Sequence, residues 1–367
     1  MSQEPLSAAR PAAVELAIPT MPAGPWLLVV GMHRSGTSAV TGALGNLGFA
    51  VPPQSDRWAP SEDNPEHWES RALGLYCDVL LERLGGTWDR PPEPDPDEES
   101  ELAADELADP SEPASNAFPN PGPVVWKDPR VCLLLPYWLA HLPQPVAAVF
   151  IWRSPLPVAH SLQARDRTHL ADGVALWERY NRSGLAGLTG IDTFVTRYES
   201  IVEDPEGKLG DLANWLGSLP QFAAYAPHWD LAAAVASISP GLLRQRAADS
   251  DLLLDEQRRL IEQLEQLEGP HRPLTTALSG AESPWTTALL GDRHQLAALS
   301  RQRDALRLQW HEDQGKLSVL NAELQTTRSD LAEMEELFER MRASTSWRIT
   351  RPLREGQAYL EQRGLHR

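Results

Sequence analysis

The chain holds two cysteines, Cys77 and Cys132, too few for a disulfide framework and suggestive of a reducing compartment. No apolar run approaches the roughly 20 residues needed to span a bilayer. Residues 1–24 lack a basic segment followed by an apolar core, so no signal peptide is expected. Bases are outnumbered, 33 Lys and Arg against 51 Asp and Glu, which argues against general nucleic-acid binding. The ten histidines and two cysteines show no metal-ligand spacing, and no metal is expected. The expected setting is the cytoplasm.

What is present is uneven. From Asp89 to Glu112 there are eleven acids and one base, Arg90, so over half of the net charge of -18 sits in one segment. The rest can still present a basic site to an anion. With 367 residues the chain can bury one sizeable core and keep an appendage.

The stretch that organises the chain is residues 25–48, PWLLVVGMHRSGTSAVTGALGNLG. Trp26 to Val30 is a short apolar run that predicts a buried strand. Gly31-Met-His-Arg-Ser-Gly-Thr-Ser38 follows, then a helical pattern. Strand, glycine-bounded loop and helix aim backbone N–H groups and a helix N-terminus at an oxyanion. Gly31 and Gly36 fit a Walker A spacing, but Thr37 stands where its lysine would be, and Arg34 supplies the positive charge instead.

Further strands are expected at 124–126, 146–152 and 193–198. Helices are expected at 71–84, 133–142, 157–167, 173–188 and 206–216, with further helical patterns at 231–237 and 252–267. Strands alternating with helices of this length predict an α/β fold, a parallel sheet covered on both faces. Residues 1–24 read as a flexible leader and 25–270 as the main domain. Residues 89–123, rich in Pro, Asp, Glu and Ser, are expected to be a disordered insertion held away from Arg34. Residues 271–292 read as a linker.

Beyond the linker the period changes. With Leu296 at position a, the a series is Leu296, Arg303, Trp310, Leu317, Leu324, Leu331 and Phe338. The d series is Leu299, Leu306, Asp313, Leu320, Thr327, Met334 and Met341; eleven of the fourteen are apolar. This predicts a coiled coil over 293–343, rather than a single helix packed on the domain, and a basic tail over 344–367.

Three cations at strand ends, Arg34, Lys127 and Arg153, with nearby hydroxyls, describe a site for a multiply charged anion. The loop ending at Glu69 offers a carboxylate base, although Glu62, Asp63 and His67 share that loop, and a histidine titrates near neutrality. Lys127 could instead pair with Asp128. Trp58 and Trp68 read as core, or as platforms for a sugar ring.

HRSGTS at 33–38, Lys127-Asp-Pro and WRSPLPVAHS at 152–161, in that order, resemble the sulfotransferases that use 3′-phosphoadenosine-5′-phosphosulfate (PAPS). The likeness is to tyrosylprotein sulfotransferases and bacterial carbohydrate sulfotransferases, and runs from Trp26 to Gly217. It implies a three-layer P-loop-type fold and a 5′-phosphosulfate cradle of Arg34, Ser35, Gly36, Thr37 and Ser38. It also implies a 3′-phosphate site at Arg153 and Ser161, a nucleotide contact at Tyr198, and catalytic roles for Lys127, Arg34 and the base Glu69. The glycine-rich cofactor segment of many family members has no match beyond residue 220.

The transfer so implied is in-line, with fixed cations sufficing for a sulfuryl group. A nucleotide kinase and a nucleotide-binding scaffold acting through the coiled coil are the alternatives. The tail, with Ser344, Trp347, Thr350, Pro352 and Arg354, resembles an SxSWRxTxPLR tail of bacterial surface-glycan glycosyltransferases. That likeness implies a carbohydrate acceptor; the coiled coil is expected to serve self-association or to bind a glycan-assembly partner. The arginines around Trp347 could touch an anionic membrane surface.

Overall fold

The computed structural model describes residues 20–60, 66–93, 102, 109–239, 241, 252–275 and 278–363. The chain divides into two compact units, Met1–His294 and Gln295–Arg367.

The first unit is an α/β layer structure built on a five-stranded sheet: β1 (Trp26–Val30), β2 (Val124–Lys127), β3 (Val146–Trp152), β4 (Asp192–Arg197) and β5 (Gly269–His271). The strand order is β2-β1-β3-β4-β5. The first four are mutually parallel, and β5 pairs antiparallel with β4 at the edge. A three-residue strand containing a proline fits an edge, where one side needs no ladder. Its length is below what periodicity can register, so it was not expected from the sequence.

Successive side chains of a strand point to opposite faces, and both faces here are buried. Trp26, Leu28 and Val30 of β1 join one core with Trp126, Phe150 and Trp177. Leu27 and Val29 join the other with Val149, Phe194 and Trp215. That is why β1 and β3 read as unbroken apolar runs. Helix α1 (Thr37–Leu47) follows β1, and α2 (Arg71–Arg83) precedes a short α3 (Ser111–Ala117). After β2 and β3 come α4 (Val131–His141), α5 (Pro155–Asp166) and α6 (Leu170–Gly187). Next to β4 lie α7 (Tyr198–Glu203) and α8 (Pro205–Gly217), then α9 (Leu231–Ala236) and α10 (Asp255–Gln266).

Two boundaries drawn from composition are corrected. Both ends of the acidic segment are ordered. Ala114, Ala117 and Phe118 are buried, and Phe118 packs edge-on to Trp26 with ring centroids 5.2 Å apart. At the other end Tyr180 donates to the Trp88 carbonyl at 2.6 Å, and Arg179 donates to that of Pro92 at 3.1 Å. The apolar residues at the two ends were averaged away by the acids between them; residues 94–101 and 103–108 lie outside the described residues, as do residues 1–19 of the expected leader.

The expected linker is likewise structured at its end, since the long helix α11 (Pro284–Ala343) begins inside it. The start of α11 is tied down by Glu178, a fully buried carboxylate of α6. It accepts from Ser283 N at 2.9 Å, Thr286 Oγ1 at 2.8 Å and Arg182 Nε at 3.1 Å. Arg293 pairs with Asp172 at 2.8 Å and with Asp89 at 3.1 Å. A buried carboxylate needs such partners to stay charged without a large desolvation cost.

In the second unit α11 runs unbroken to Ala343, followed by α12 (Thr345–Ile349) and α13 (Arg351–Gln362). The tail letters have local work to do. Ser344 Oγ caps α12 by accepting from Trp347 N at 3.2 Å. Pro352 stands in the first turn of α13, where a missing N–H costs nothing. Arg354 stacks 3.6 Å over the Trp347 ring while donating to the Thr350 hydroxyl and the Trp347 carbonyl. Among the described residues no helix is long and apolar enough to cross a membrane.

Candidate functional site

In an open parallel sheet the ligand crevice lies beyond the carboxyl ends of the strands, where the strand order reverses. Here β1 is that point, because the chain passes from β1 to β2 on one side and to β3 on the other. The loop at 31–36 leaves β1, Lys127 ends β2 and Arg153 follows β3. The cations separated widely in sequence are thereby brought to one edge.

The loop is shaped by two backbone positions with positive φ, Arg34 at 68° and Gly36 at 87°. Gly36 is required twice over, because a Cβ there would fall 1.9 Å from Cδ2 of Tyr198, which lies against it. At Gly31 a Cβ would meet the Ile151 carbonyl oxygen at 2.3 Å, so the loop also hugs β3. Gly36 caps α1 without a side-chain hydrogen bond, and the first turn holds no acid. The N–H groups and the positive end of the helix dipole therefore remain available to an anion. Ser35 is fully buried, and its Oγ has no hydrogen-bond partner among the described residues.

On the β3 side, Arg34 Nε donates to Ser161 Oγ at 2.7 Å, and Arg153 Nη1 donates to the Arg34 carbonyl at 3.2 Å. The Arg153 guanidinium sits 5.2 Å from the centre of the Tyr198 ring, and Trp177 Nε1 holds the Arg153 carbonyl at 2.7 Å. Glu199 faces Arg153 Nε at 3.9 Å and Arg197 Nε at 3.2 Å. Burial, the largest influence, makes the Arg153 charge harder to keep; Glu199 and Tyr198 act the other way. Arg34, Arg153, Ser161 and Tyr198 thus form one cluster.

On the β2 side, Lys127 is 1% exposed, donates to Ser38 Oγ at 2.9 Å and forms an ion pair with Glu69 Oε1. His67 Nδ1 lies 3.5 Å from the other Glu69 oxygen. Burial alone would raise the Glu69 pKa, but the Lys127 charge and hydrogen bonds from His67 and Lys127 prevail and hold it well below the usual carboxylate range. The possible Lys127–Asp128 pair is not what forms. Asp128 is bound by Arg130, at 3.1 Å and 2.9 Å to its two oxygens, and Arg130 also pairs with Asp78 at 2.6 Å. Glu62 and Asp63 lie outside the described residues.

Trp68 packs beneath α1, 3.1 Å from where a Gly42 Cβ would stand, with Arg57 4.2 Å from its ring centre. This is a packing role, and Gly42 is the residue that makes room for it.

Sequence reasoning passed over His33. Its ring lies 4.9 Å from Trp88 and 5.9 Å from Tyr180, and its Nε2 is buried without a hydrogen-bond partner among the described residues. Arg165 lies over Trp88, 5.4 Å from its ring centre. Burial first, then the charges of Arg165 and Arg130, lower the His33 pKa well below its ordinary value, so the ring is neutral at pH 7. The loop position next to Arg34 was a signal for His33. Trp88 had none, since it abuts the acidic segment.

No protein-family model and no curated protein matches the chain. Among solved structures, similarity is found to the sulfotransferase domain from the curacin biosynthetic pathway, at 16% identity and a TM-score of 0.36, over 67% of this chain and 98% of that one. A sulfotransferase of Mycobacterium tuberculosis matches at 16% identity and 0.36, over 60% and 76%. The sulfotransferase domain of a Synechococcus olefin synthase matches at 15% and 0.31, over 74% and 95%. Likeness at this level says nothing of what this chain binds.

Proposed function

We propose that the first unit is a sulfotransferase that moves the sulfuryl group of PAPS to a hydroxyl acceptor, a carbohydrate of a surface glycan. The observation that carries this reading is a pair of cationic positions flanking one phosphate-type loop. Lys127 with Ser38 stands on the β2 side, and Arg153 with Arg34 and Ser161 on the β3 side. β2 and β3 are two interstrand spacings apart, roughly 10 Å. A triphosphate bound along one loop has no use for the second position, whereas PAPS carries a separate 3′-phosphate.

The residues present suit that co-substrate. The uncapped α1 N-terminus, the Ser35 hydroxyl, without a partner among the described residues, and the loop at Gly36 pressed on Tyr198 accommodate an anion rather than a side chain. Arg34, Ser35, Gly36, Thr37 and Ser38 would hold the 5′-phosphosulfate; Arg153 and Ser161 would hold the 3′-phosphate, with Tyr198 against the nucleotide. PAPS supplies an activated sulfuryl group whose leaving group is a phosphate oxygen. No metal is needed in this scheme, since fixed cations meet the developing charge.

Glu69 is the candidate base. A carboxylate held at low pKa by Lys127 is a weak proton acceptor. Drawing Lys127 toward an anion in the crevice would relax that hold, so base strength rises only when the anion is present. Lys127 then meets the charge that develops on the leaving oxygen, while Arg34 and the loop N–H groups fix the sulfonate in line. His67, against Glu69, is the second candidate for the base. The His33, Trp88 and Arg165 group offers aromatic and cationic surface for the acceptor.

Incubation with sulfur-labelled PAPS and a panel of glycans tests the proposal, alongside calorimetry with 3′,5′-adenosine bisphosphate. Transfer of label and binding of the bisphosphate are expected. Magnesium-dependent ATP turnover without either would point to a kinase instead. Binding without transfer to any acceptor would favour the nucleotide-binding scaffold.

A further inference from the structure

From Leu296 onward, α11 exposes a stripe that should not face water. The apolar a and d residues between Leu296 and Met341 are 46–66% exposed. A stripe of this length, at a 3.5-residue repeat, is the seam of a supercoiled helix pair rather than a scatter of surface leucines. We infer that its occupant is the same helix of a second copy of this chain, running antiparallel. The inference does not depend on the sulfotransferase reading.

The direction follows from the two charged members of the stripe. In a parallel pair in register, Arg303 at position a faces Arg303 of the second copy, and Asp313 at position d faces Asp313. Within one helix Arg303 pairs with Asp304 at 2.8 Å and Asp313 with Lys316 at 3.4 Å, but these pairs are exposed and weak, and like charges facing each other across a partly desolvated seam still repel. Reversing one helix removes both clashes. In the register that uses all fourteen positions, Leu296 lies across from Met341 of the second copy and Leu317 across from Leu320. Arg303 then faces Met334, and Asp313 faces Leu324.

The charges outside the seam agree. Residues 296–311 hold three arginines and one acid, Asp304, whereas residues 326–341 hold five acids and two arginines. Antiparallel pairing sets the basic segment on the acidic one; parallel pairing sets like on like. On the flank, Lys316 at position g lies across from Glu323 of the second copy, twice by symmetry. One like-charged approach remains, Arg307 near Arg328, with Asp313 close by to temper it. The paired length from Leu296 to Met341 is about 70 Å at 1.5 Å per residue.

The experiment uses the full chain. Sedimentation equilibrium at micromolar concentration is expected to give the dimer mass; a monomer overturns the inference and points to a different protein as the occupant. Direction is read from disulfides after co-expressing Leu296→Cys and Met341→Cys chains. Cys77 and Cys132 are buried and leave the background low. Cross-links between the two variants are expected, and self-cross-links from either variant expressed alone overturn the antiparallel direction. The double substitution Leu317→Glu, Leu320→Glu is expected to weaken the dimer at least about 100-fold, close to 3 kcal/mol. An unchanged dimer mass would overturn the seam, with the near-ultraviolet signal of the buried tryptophans as the folding control.

Discussion

At the sheet's carboxyl ends Lys127 is 1% exposed and Arg153 6%, while on the long helix Leu296 is 66% exposed and Leu317 52%. The first region puts charge where water is scarce, and the second puts hydrocarbon where water is plentiful. Each arrangement is costly by itself. In the crevice the cost is offset internally, for Lys127 by Ser38 and Glu69 and for Arg153 by Glu199. On the helix the stripe stands exposed among the described residues. A site for a small ligand can be stabilised in advance by its own chain, whereas a seam for a macromolecule is completed only by its partner.

That contrast is sharpest in turnover. Lys127→Ala is expected to lower transfer of label from PAPS by roughly 10²–10³-fold, the scale of removing one preorganised charge-stabilising donor. Undiminished transfer would detach Lys127 from the chemistry. Glu69→Gln should abolish transfer as well and, by stranding the buried Lys127 charge, cost about 3 kcal/mol in denaturant melts at neutral pH. Because Lys127 holds the folded Glu69 carboxyl low, that contribution is complete above the ordinary value of 4.5 and fades as pH falls through the folded value. The gap between wild type and variant should therefore narrow in acid, and a gap independent of pH would contradict the ion pair.

Phe118→Ala probes the acidic segment, whose ends behave as core; a loss of about 3 kcal/mol is expected. A loss under about 0.5 kcal/mol, typical of surface positions, would return the segment to the surface. A smaller effect comes from His33. As pH falls below 6.5 the unfolded chain protonates this histidine more readily than the folded chain, where burial holds the ring neutral to lower pH, so folding stability declines. His33→Gln should flatten the decline by about 1 kcal/mol per pH unit, measured between pH 6.5 and 5. The smallest expected change is none. Leu317→Glu with Leu320→Glu should leave the calorimetric affinity for 3′,5′-adenosine bisphosphate unaltered while the mass halves, and an altered affinity would mean that the two regions are not separable.

Much of the fold was legible because its cues are local. The runs at 26–30 and 146–152 are read directly, as apolar stretches bounded by turn residues are. The edge strand at 269–271 was missed, since three residues carry no period, and α3 was hidden under the acids around it. For the candidate site, Arg34, Lys127, Arg153 and Glu69 stood out by position after strands or by motif. Their partners did not. Lys127 could have been paired with its neighbour Asp128, yet the contact made is with Glu69, 58 residues away. His33 and Trp88 became visible only when the chain between them folded back.

What the sequence determined by itself was everything set by period and steric demand along a few neighbouring residues. That includes the strand, the glycine-bounded loop, the helix after it, and the seven-residue repeat from Leu296 to Met341. Tertiary structure alone decided which charges meet. It placed Ser161 on Arg34 across 127 residues, gave Asp128 to Arg130, and left the Ser35 hydroxyl buried without a partner among the described residues. The physical reason is range. Hydrophobic pattern and backbone sterics act within a turn or two of chain, whereas hydrogen bonds and ion pairs act over a few ångströms of space, whatever the distance in sequence.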